Sequence, residues 1–224
     1  MNIIPFSQCN IYEFKLDKEA ADLVYEDFKK SKLFWKKIAP ENNTSVGYLD
    51  SEYKIPWYNE SLCDWFDECL KRVSEKHFYN RKLEMVDLWL NSANSGSFSH
   101  KHSHSCSIVS GLYYLTDHEH SETVFEYYDP WLKGIDWLYD ASIVTNPSIK
   151  IKPESGKLII WKSDFIHSVN IHRETKPRNT IAFNTFFDGW LSNAPTGILE
   201  INCVSVKKRY QKYLDSLKPN TIEK

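Results

Sequence analysis

Residues 97–116 read SFSHKHSHSCSIVSGLYYLT, in which an apolar run rich in Val, Leu and Tyr follows a segment with histidine at every second position. Short runs of this kind, bounded by turn residues, are typical of β-strands. They recur from about residue 83 onward, and the predicted strands are LEMVDLWLN (83–91), SIVSGLYYLT (107–116), ETVFEYY (122–128), SIKIKP (148–153), GKLIIW (156–161), IHSVNIH (166–172) and NTIAFNTFF (179–187). This succession of short strands predicts a double-sheet β barrel or sandwich.

The segment before these strands has the periodicity of helices. Asp17 is placed to cap a helix that runs to about Lys30, and a second apolar stripe of helical spacing follows Asn59. The residues between the two helices, 39–58, are rich in turn formers and predict a long connection. The sequence therefore predicts one α+β domain, with a helical N-terminal part (1–82) packed on one sheet of a β core (83–190) and a C-terminal extension (191–224).

Two further segments interrupt or follow the predicted core. Residues 128–148 carry Trp131, Trp137 and Tyr139 and form a long insertion, which is either a lid over a site or a packed surface loop. The stretch KKRYQKYLDSLK, residues 207–218, predicts an amphipathic helix or tail.

Composition limits the classes of function. The chain has 224 residues and a net charge of -2, so it has no general attraction for a polyanion, which disfavours nucleic acid as a partner. No window approaches the roughly 18 apolar residues of a membrane span, and no leader is evident. Five scattered cysteines suit a reducing compartment, so we expect a cytoplasmic protein. Oligomerisation is possible.

The alternating histidines suggest a metal site. In a strand, residues two apart share a face and lie about 7 Å apart, so an adjacent pair can bind one ion, whereas the outer two of three would be about 13 Å apart. The pair is His100 with His102 or His102 with His104, and His102 belongs to either. A third ligand must come from elsewhere, and His167 follows a glycine turn and an apolar strand that would deliver it to the mouth of a barrel.

The other histidines have simpler interpretations. We expect His118 and His120 in a solvated turn between strands, His172 at an exposed strand end, and His77 at a helix C-terminus, where a partial positive charge is favourable.

Arg178 and Thr180 begin the last predicted strand of the core and share one of its faces. The apolar residues that follow indicate that the strand is buried, where an unpaired guanidinium is costly. A guanidinium beside a hydroxyl is suited to binding a buried carboxylate.

These elements together resemble the 2-oxoglutarate and Fe(II)-dependent oxygenase superfamily, and more closely a branch of it found in bacteria and phages. The resemblance covers residues 83–187 and rests on motifs that occur in the expected order. They are W-L-N (89–91), G-S-F (96–98), H-S-H (102–104), S-G-L-Y-Y-L (110–115), D-P (129–130), P-x-x-G-x-L-x-x-W (153–161) and R-N-T-I-A-F-N (178–184).

The resemblance implies a jelly-roll, or double-stranded β-helix, core with Fe(II) inside one end. It implies that His102, His104 and His167 bind the metal, because counting back from Ser110 selects the pair 102 and 104. Arg178 and Thr180 would bind 2-oxoglutarate, and Asn91 and Tyr113 are weaker candidates for contact with cosubstrate or substrate. The implied enzyme is a dioxygenase that hydroxylates an unidentified substrate with O2 and converts 2-oxoglutarate to succinate and CO2.

One position departs from the superfamily, whose second metal ligand is usually Asp or Glu. Here it is His104, and either the histidine binds the metal or a carboxylate such as Asp117, Glu119 or Glu122 replaces it. Two other functions therefore stay open. One is a three-histidine, cupin-like dioxygenase that does not use 2-oxoglutarate, and the other is a non-catalytic jelly roll that binds a metal for stability or for a partner.

Overall fold

The computed structural model describes residues 1–6, 9–31, 44–47, 58–78, 81–126, 148–190 and 199–217. Its helices are α1 (Lys18–Ser31), α2 (Glu60–His77) and α3 (Val206–Leu217). Its strands are β1 (Asn2–Phe6), β2 (Cys9–Lys15), β3 (Thr44–Gly47), β4 (Leu83–Ala93), β5 (Ser99–His102), β6 (Val109–Tyr114), β7 (Thr123–Glu126), β8 (Ser148–Ile151), β9 (Lys157–Lys162), β10 (His167–Val169), β11 (Arg178–Phe187), β12 (Gly189–Trp190) and β13 (Glu200–Ile201).

The strands form two antiparallel sheets and a short ribbon. The larger sheet has the order β1-β2-β9-β6-β11-β4-β3, the smaller has the order β5-β10-β7-β8, and β12 pairs with β13. All seven strands predicted for the core are present, and the α+β jelly-roll prediction is confirmed. Six of the described strands were not predicted or only partly so, and the short strands β12 and β13 are two of them. β1, β2 and β3 extend the larger sheet, β3 lying inside the predicted connection 39–58, and β5 is the histidine segment itself.

Helices α1 and α2 pack on the outer face of the larger sheet. Asp17 caps α1 as predicted, because its Oδ1 accepts a hydrogen bond from Ala20 N at 2.9 Å. Asn59 caps α2, and its Oδ1 accepts from Leu62 N at 3.0 Å. The apolar stripe of α2 meets the sheet in one buried cluster, where the rings of Phe66 and Phe183 have centroids 5.0 Å apart. No helix in the described parts of the chain is long and apolar enough to cross a membrane.

A second buried cluster fills the space between the two sheets. Its members come from both sheets and include Leu112, Tyr114, Phe125, Ile159 and Trp161. Polar side chains of the interior lie on either side of this cluster, around Arg178 and Thr180 and around Ser110 and Asn184. The insertion predicted at 128–148 lies outside the described residues up to Ser148, where β8 begins.

The inner face of β11 carries every second residue, as the period of a strand requires. The sequence Arg178, Thr180, Ala182, Asn184 therefore lines the interior. The register with the neighbouring strands β4 and β6 places these residues in rows. One row is Asn91, Thr180 and Tyr114, the next is Trp89, Ala182 and Leu112, and the last is Asp87, Asn184 and Ser110.

Candidate active site

Three histidines converge at one end of β5 and β10, in the interior between the two sheets. His102 ends β5 and lies directly opposite His167, the first residue of β10, and His104 lies two residues beyond the end of β5. The ring centroids are 4.3 Å apart for His102 and His167, 5.0 Å for His104 and His167, and 5.3 Å for His102 and His104. One ring nitrogen from each residue lies within 4.8 Å of the others, a spacing that fits one metal ion.

The hydrogen bonds of the three rings determine which nitrogen is available. Nδ1 of His102 lies 2.7 Å from the carbonyl oxygen of His100, and Nδ1 of His167 lies 3.0 Å from that of Phe165. Nδ1 of His104 lies 2.6 Å from Oδ1 of Asn184. Carbonyl and amide oxygens only accept, so each Nδ1 carries the proton and donates it. The Nε2 lone pairs are left free, which is how histidine is presented to a metal.

The environment of His167 and His104 also favours the neutral form of their rings. Burial lowers the pKa of His167 to about 4, and burial likewise lowers the pKa of His104, with the hydrogen bond to Asn184 opposing the shift. A neutral imidazole is the form that binds a metal, and imidazole nitrogen suits iron among other transition metals. The residues therefore fit Fe(II).

The carboxylates considered as replacements for His104 have other partners. Asp117 Oδ1 accepts from Ser155 N at 2.8 Å, Glu119 Oε2 accepts from Lys152 Nζ at 2.6 Å, and Glu122 Oε2 accepts from Asn170 Nδ2 at 3.0 Å. Within the described residues, the group that could hold a metal ion at this end consists of the three histidines and contains none of these side chains.

Arg178 occupies the same interior, three rows from Asn184. It is 5% exposed, its Nη2 donates to Thr123 Oγ1 at 3.3 Å, and its guanidinium lies 5.5 Å from the centre of the Tyr114 ring. Its Nε has no hydrogen-bond partner among the residues described. Burial lowers the pKa of Arg178, although the phenol of Tyr114 opposes the shift. A buried cation with an unused donor calls for an anionic ligand.

Thr180 and Asn91 lie beside this guanidinium. Asn91 Nδ2 donates to Thr180 Oγ1 at 3.3 Å, and both residues line one cavity of about 190 Å³ together with Arg178 and the three histidines. The cavity is smaller than the roughly 300 to 1,000 Å³ of pockets that hold drug-sized ligands, so it suits a small acid. A larger cleft of about 740 Å³ lies between α2 and α3, and no histidine lines it.

Tyr113 does not reach this cavity. It packs on the opposite face of β6, where its ring lies 5.7 Å from that of Phe66. The prediction that it contacts cosubstrate or substrate is therefore wrong, because adjacent strand residues point to opposite faces. Its neighbour Tyr114 is the residue that faces Arg178, and its hydroxyl lies 2.6 Å from Thr123 Oγ1. The sequence indicated that successive residues of β6 point to opposite faces, but it did not indicate which of them face the cavity.

The predictions for two other histidines are also wrong. His118 and His172 are buried, and their rings meet edge to face with centroids 4.8 Å apart. His118 Nδ1 donates to Glu174 at 2.9 Å, and Ser121 Oγ donates to His172 Nδ1 at 2.6 Å. Both rings therefore join the loop after β6 to the loop before β11, a long-range contact that the local polar sequence did not reveal.

Comparisons with known proteins agree with this geometry. Residues 87–184, which contain the three histidines, Asn91, Arg178 and Thr180, match the family described as "Putative 2OG-Fe(II) oxygenase". No curated protein matches.

Solved structures share the fold at low identity. HygX from Streptomyces hygroscopicus, with nickel, 2-oxoglutarate and hygromycin B bound, is 12% identical with a TM-score of 0.56, over 87% of this chain and 92% of that one. A prolyl hydroxylase from Trichoplax adhaerens, in complex with a hypoxia inducible factor oxygen degradation domain peptide fragment, is 12% identical with a TM-score of 0.55, over 79% and 83%. A 2OG-Fe(II) oxygenase family oxidoreductase from Burkholderia pseudomallei is 12% identical with a TM-score of 0.54, over 77% and 83%.

The family match and the shared fold agree with a cavity that is lined by three converging histidines and a buried arginine. The chain is therefore similar to the 2-oxoglutarate and Fe(II)-dependent oxygenases, in sequence over residues 87–184 and in fold over most of its length.

Proposed function

We propose that His102, His104 and His167 bind Fe(II) through Nε2, and that Arg178 binds the distal carboxylate of 2-oxoglutarate. The observation that carries this assignment is the buried guanidinium of Arg178, which lines the same cavity as the triad and lacks a carboxylate partner among the described residues. Thr180 and Asn91 add a hydroxyl and an amide beside it. The two ends of a small dicarboxylate would thus meet the metal and the arginine.

When bound, Fe(II) supplies activation of O2, and 2-oxoglutarate supplies the electrons as it is oxidised to succinate and CO2. The residues of the chain bind and orient these groups. Arg178 and Thr180 fix the distal carboxylate, and the three Nδ1–H hydrogen bonds hold the imidazole rings in position. Trp161 and Phe125, which contact the ring of His167, form an apolar wall that excludes water from the reacting centre.

We propose further that the reaction is hydroxylation and that the substrate enters where the cavity meets the surface. Phe98 lines the cavity and is 44% exposed, whereas Arg178 at the other extreme is 5% exposed. The cavity has room for a small acid, so most of a larger substrate would lie outside it, against Phe98 and Ser99. HygX holds hygromycin B and the Trichoplax enzyme holds a peptide fragment, so this fold accommodates larger ligands of different chemistry.

The free thiols of Cys63, Cys69, Cys106 and Cys203 support a cytoplasmic location.

The assignment is tested by adding Fe(II) and 2-oxoglutarate to the protein without oxygen and recording the visible absorption band of the iron and 2-oxo acid chelate. We expect the band with wild-type protein and its loss with Arg178→Ala. On admission of oxygen, succinate should form. Absence of 2-oxoglutarate binding by the wild type contradicts the proposal. Consumption of O2 without succinate would indicate instead the three-histidine dioxygenase that does not use 2-oxoglutarate.

A further inference from the structure

A chain of buried polar groups lies behind His104. Its Nδ1 is 2.6 Å from Asn184 Oδ1 and 2.8 Å from Ser110 Oγ, and Ser110 Oγ is itself 2.8 Å from Asn184 Oδ1. Ser110 Oγ is 2.8 Å from Ser163 Oγ, which is 2.7 Å from Ser107 Oγ. Ser110 and Ser163 are 0% exposed, so water does not replace these contacts. The other two histidines of the triad rely on main-chain carbonyls, and His104 alone of the three has side-chain partners at Nδ1.

The directions of these hydrogen bonds follow from Ser107, the last residue of the hydrogen-bonded series. Ser107 Oγ donates to the carbonyl of Val109 at 3.1 Å or of Thr185 at 3.2 Å, since a carbonyl only accepts. Ser163 therefore donates to Ser107, and Ser110 donates to Ser163 or to Asn184. Asn184 Oδ1 only accepts, so at 2.6 Å from His104 Nδ1 it requires a proton on that nitrogen. Nδ1 must supply the proton of its own hydrogen bond, and Nε2 carries the lone pair.

The charge of this arrangement differs from that of the common carboxylate-supported histidine ligand. Asn184 is a neutral acceptor, and the ligand position that is usually Asp or Glu is occupied by a neutral imidazole. Asp87 is paired with Asn184 across strands β4 and β11 and interacts electrostatically with His104, but it also faces Arg209. The three ligands therefore bring no formal negative charge to a divalent ion.

We propose that Asn184, supported by Ser110, is the positioning residue that makes His104 a neutral third metal ligand, and that metal binding consequently depends on the dianionic cosubstrate. The inference rests on the proposed function, in which His104 binds the metal. Three neutral ligands leave the charge of a divalent metal uncompensated in the cavity. The two negative charges of 2-oxoglutarate compensate it, so each of the two should bind more tightly when the other is present.

The test is the affinity of the purified, metal-free protein for Co(II), measured by competition with a chromophoric chelator, with and without 2-oxoglutarate. We expect 2-oxoglutarate to tighten Co(II) binding by wild-type protein. Asn184→Ala should weaken Co(II) binding about 10- to 100-fold, as is typical when the outer partner of a metal-binding histidine is lost. Asn184→Asp should tighten it about tenfold without 2-oxoglutarate, because a charged acceptor strengthens the hydrogen bond and adds the missing negative charge. The added charge should also reduce the effect of 2-oxoglutarate.

Asn179→Ala is the matched control. Asn179 is a buried asparagine on the same strand whose amide oxygen has no partner in the described part of the chain, and it should leave the Co(II) affinity unchanged. The opposite effects of Ala and Asp at position 184 are not expected from a role in packing alone. Wild-type affinity in both Asn184 variants, or equal weakening in both, overturns the inference. Failure of the wild type to bind Co(II) at all overturns the proposed function as well.

Discussion

His102 and His167 lie directly opposite each other on two antiparallel strands, with ring centroids 4.3 Å apart. His167 is also paired with Phe125 on its other side, so β10 holds it between two strands. This position leaves little freedom to the ring of His167. His104 completes the triad from the turn that follows β5, where its main-chain N donates to the carbonyl of Ser163 at 2.8 Å.

Removal of one triad histidine should abolish metal binding. We expect His167→Ala and His104→Ala each to lose the absorption band of the Fe(II) and 2-oxoglutarate complex, because two imidazoles retain a divalent ion far less well than three. The affinity for Co(II), measured by chelator competition, checks the same loss without turnover.

His100→Ala is the control for this set. The His100 ring lies against Phe98, with centroids 4.7 Å apart, and only its main-chain carbonyl supports His102. The variant keeps that carbonyl and should bind metal as the wild type does. Loss of metal binding in His100→Ala but not in His104→Ala would mean that the ligand pair is 100 and 102.

Arg178→Met should separate cosubstrate binding from metal binding. The variant removes a buried charge that lacks an anionic partner within the described residues, so the ligand-free protein should be as stable as the wild type or more stable. It should lose about 2 to 5 kcal/mol of 2-oxoglutarate affinity, the usual consequence of truncating one partner of a buried charge pair.

Thermal unfolding with and without 2-oxoglutarate measures both effects. At 100 times its Kd the cosubstrate should stabilise the metal-loaded wild type by about 2.7 kcal/mol and leave Arg178→Met unaffected. Equal stabilisation of both proteins would show that the carboxylate binds elsewhere.

The metal-free protein should lose part of its stability in mild acid. Burial lowers the pKa of His167 from 6.5 to about 4, so the unfolded chain takes up this proton at higher pH than the folded chain does. The contribution of His167 to the free energy of unfolding is complete above about pH 6.5. It is lost as the pH falls toward 4, and the total loss is about 3 kcal/mol. Burial also lowers the pKa of His118, which acts in the same direction.

Asp67 acts in the opposite direction, because burial raises its pKa to about 6 and favours the folded state as the pH falls. The measurement is therefore the difference in unfolding free energy between wild type and His167→Gln, from urea titrations at pH 7, 6 and 5 with a chelator present. The wild type should lose more stability than the variant over this range. Parallel pH profiles would contradict the prediction.

Gly111→Ala should destabilise the protein through Phe183. A Cβ at position 111 would lie within 3.0 Å of three atoms of the Phe183 ring, which is itself packed against Phe66. We expect a loss of about 1 to 3 kcal/mol in the unfolding free energy, the usual cost of overpacking.

The double variant with Phe183→Leu checks the cause. A smaller side chain at position 183 should make the added methyl group less costly. The double variant should therefore lose less unfolding free energy than the sum of the losses in the two single variants. Simple additivity would mean that the methyl group is accommodated in another way.

Much of this protein was predictable from its sequence. Short runs of β-branched and aromatic residues indicated the strands of the core, and Asp17 and Asn59 indicated where α1 and α2 begin, because these are local patterns. The ordered motifs indicated the family, and with it His102, His167 and Arg178. The spacing of Arg178 and Thr180 predicted their common face for the same local reason, the period of two residues along a strand.

Only the tertiary structure decided which residues complete the site. The orientation of β6 turns Tyr114, and not Tyr113, toward the cavity. The pairing of β6 with β11 brings Ser110 and Asn184 to the ring of His104. Two loops bury His118 against His172. These contacts join residues far apart in the sequence, and their energies depend on burial and on pairing register. A local pattern contains neither, so the sequence determined the types of element and the resemblance to a family, whereas the packing of the two sheets determined the chemistry around His104.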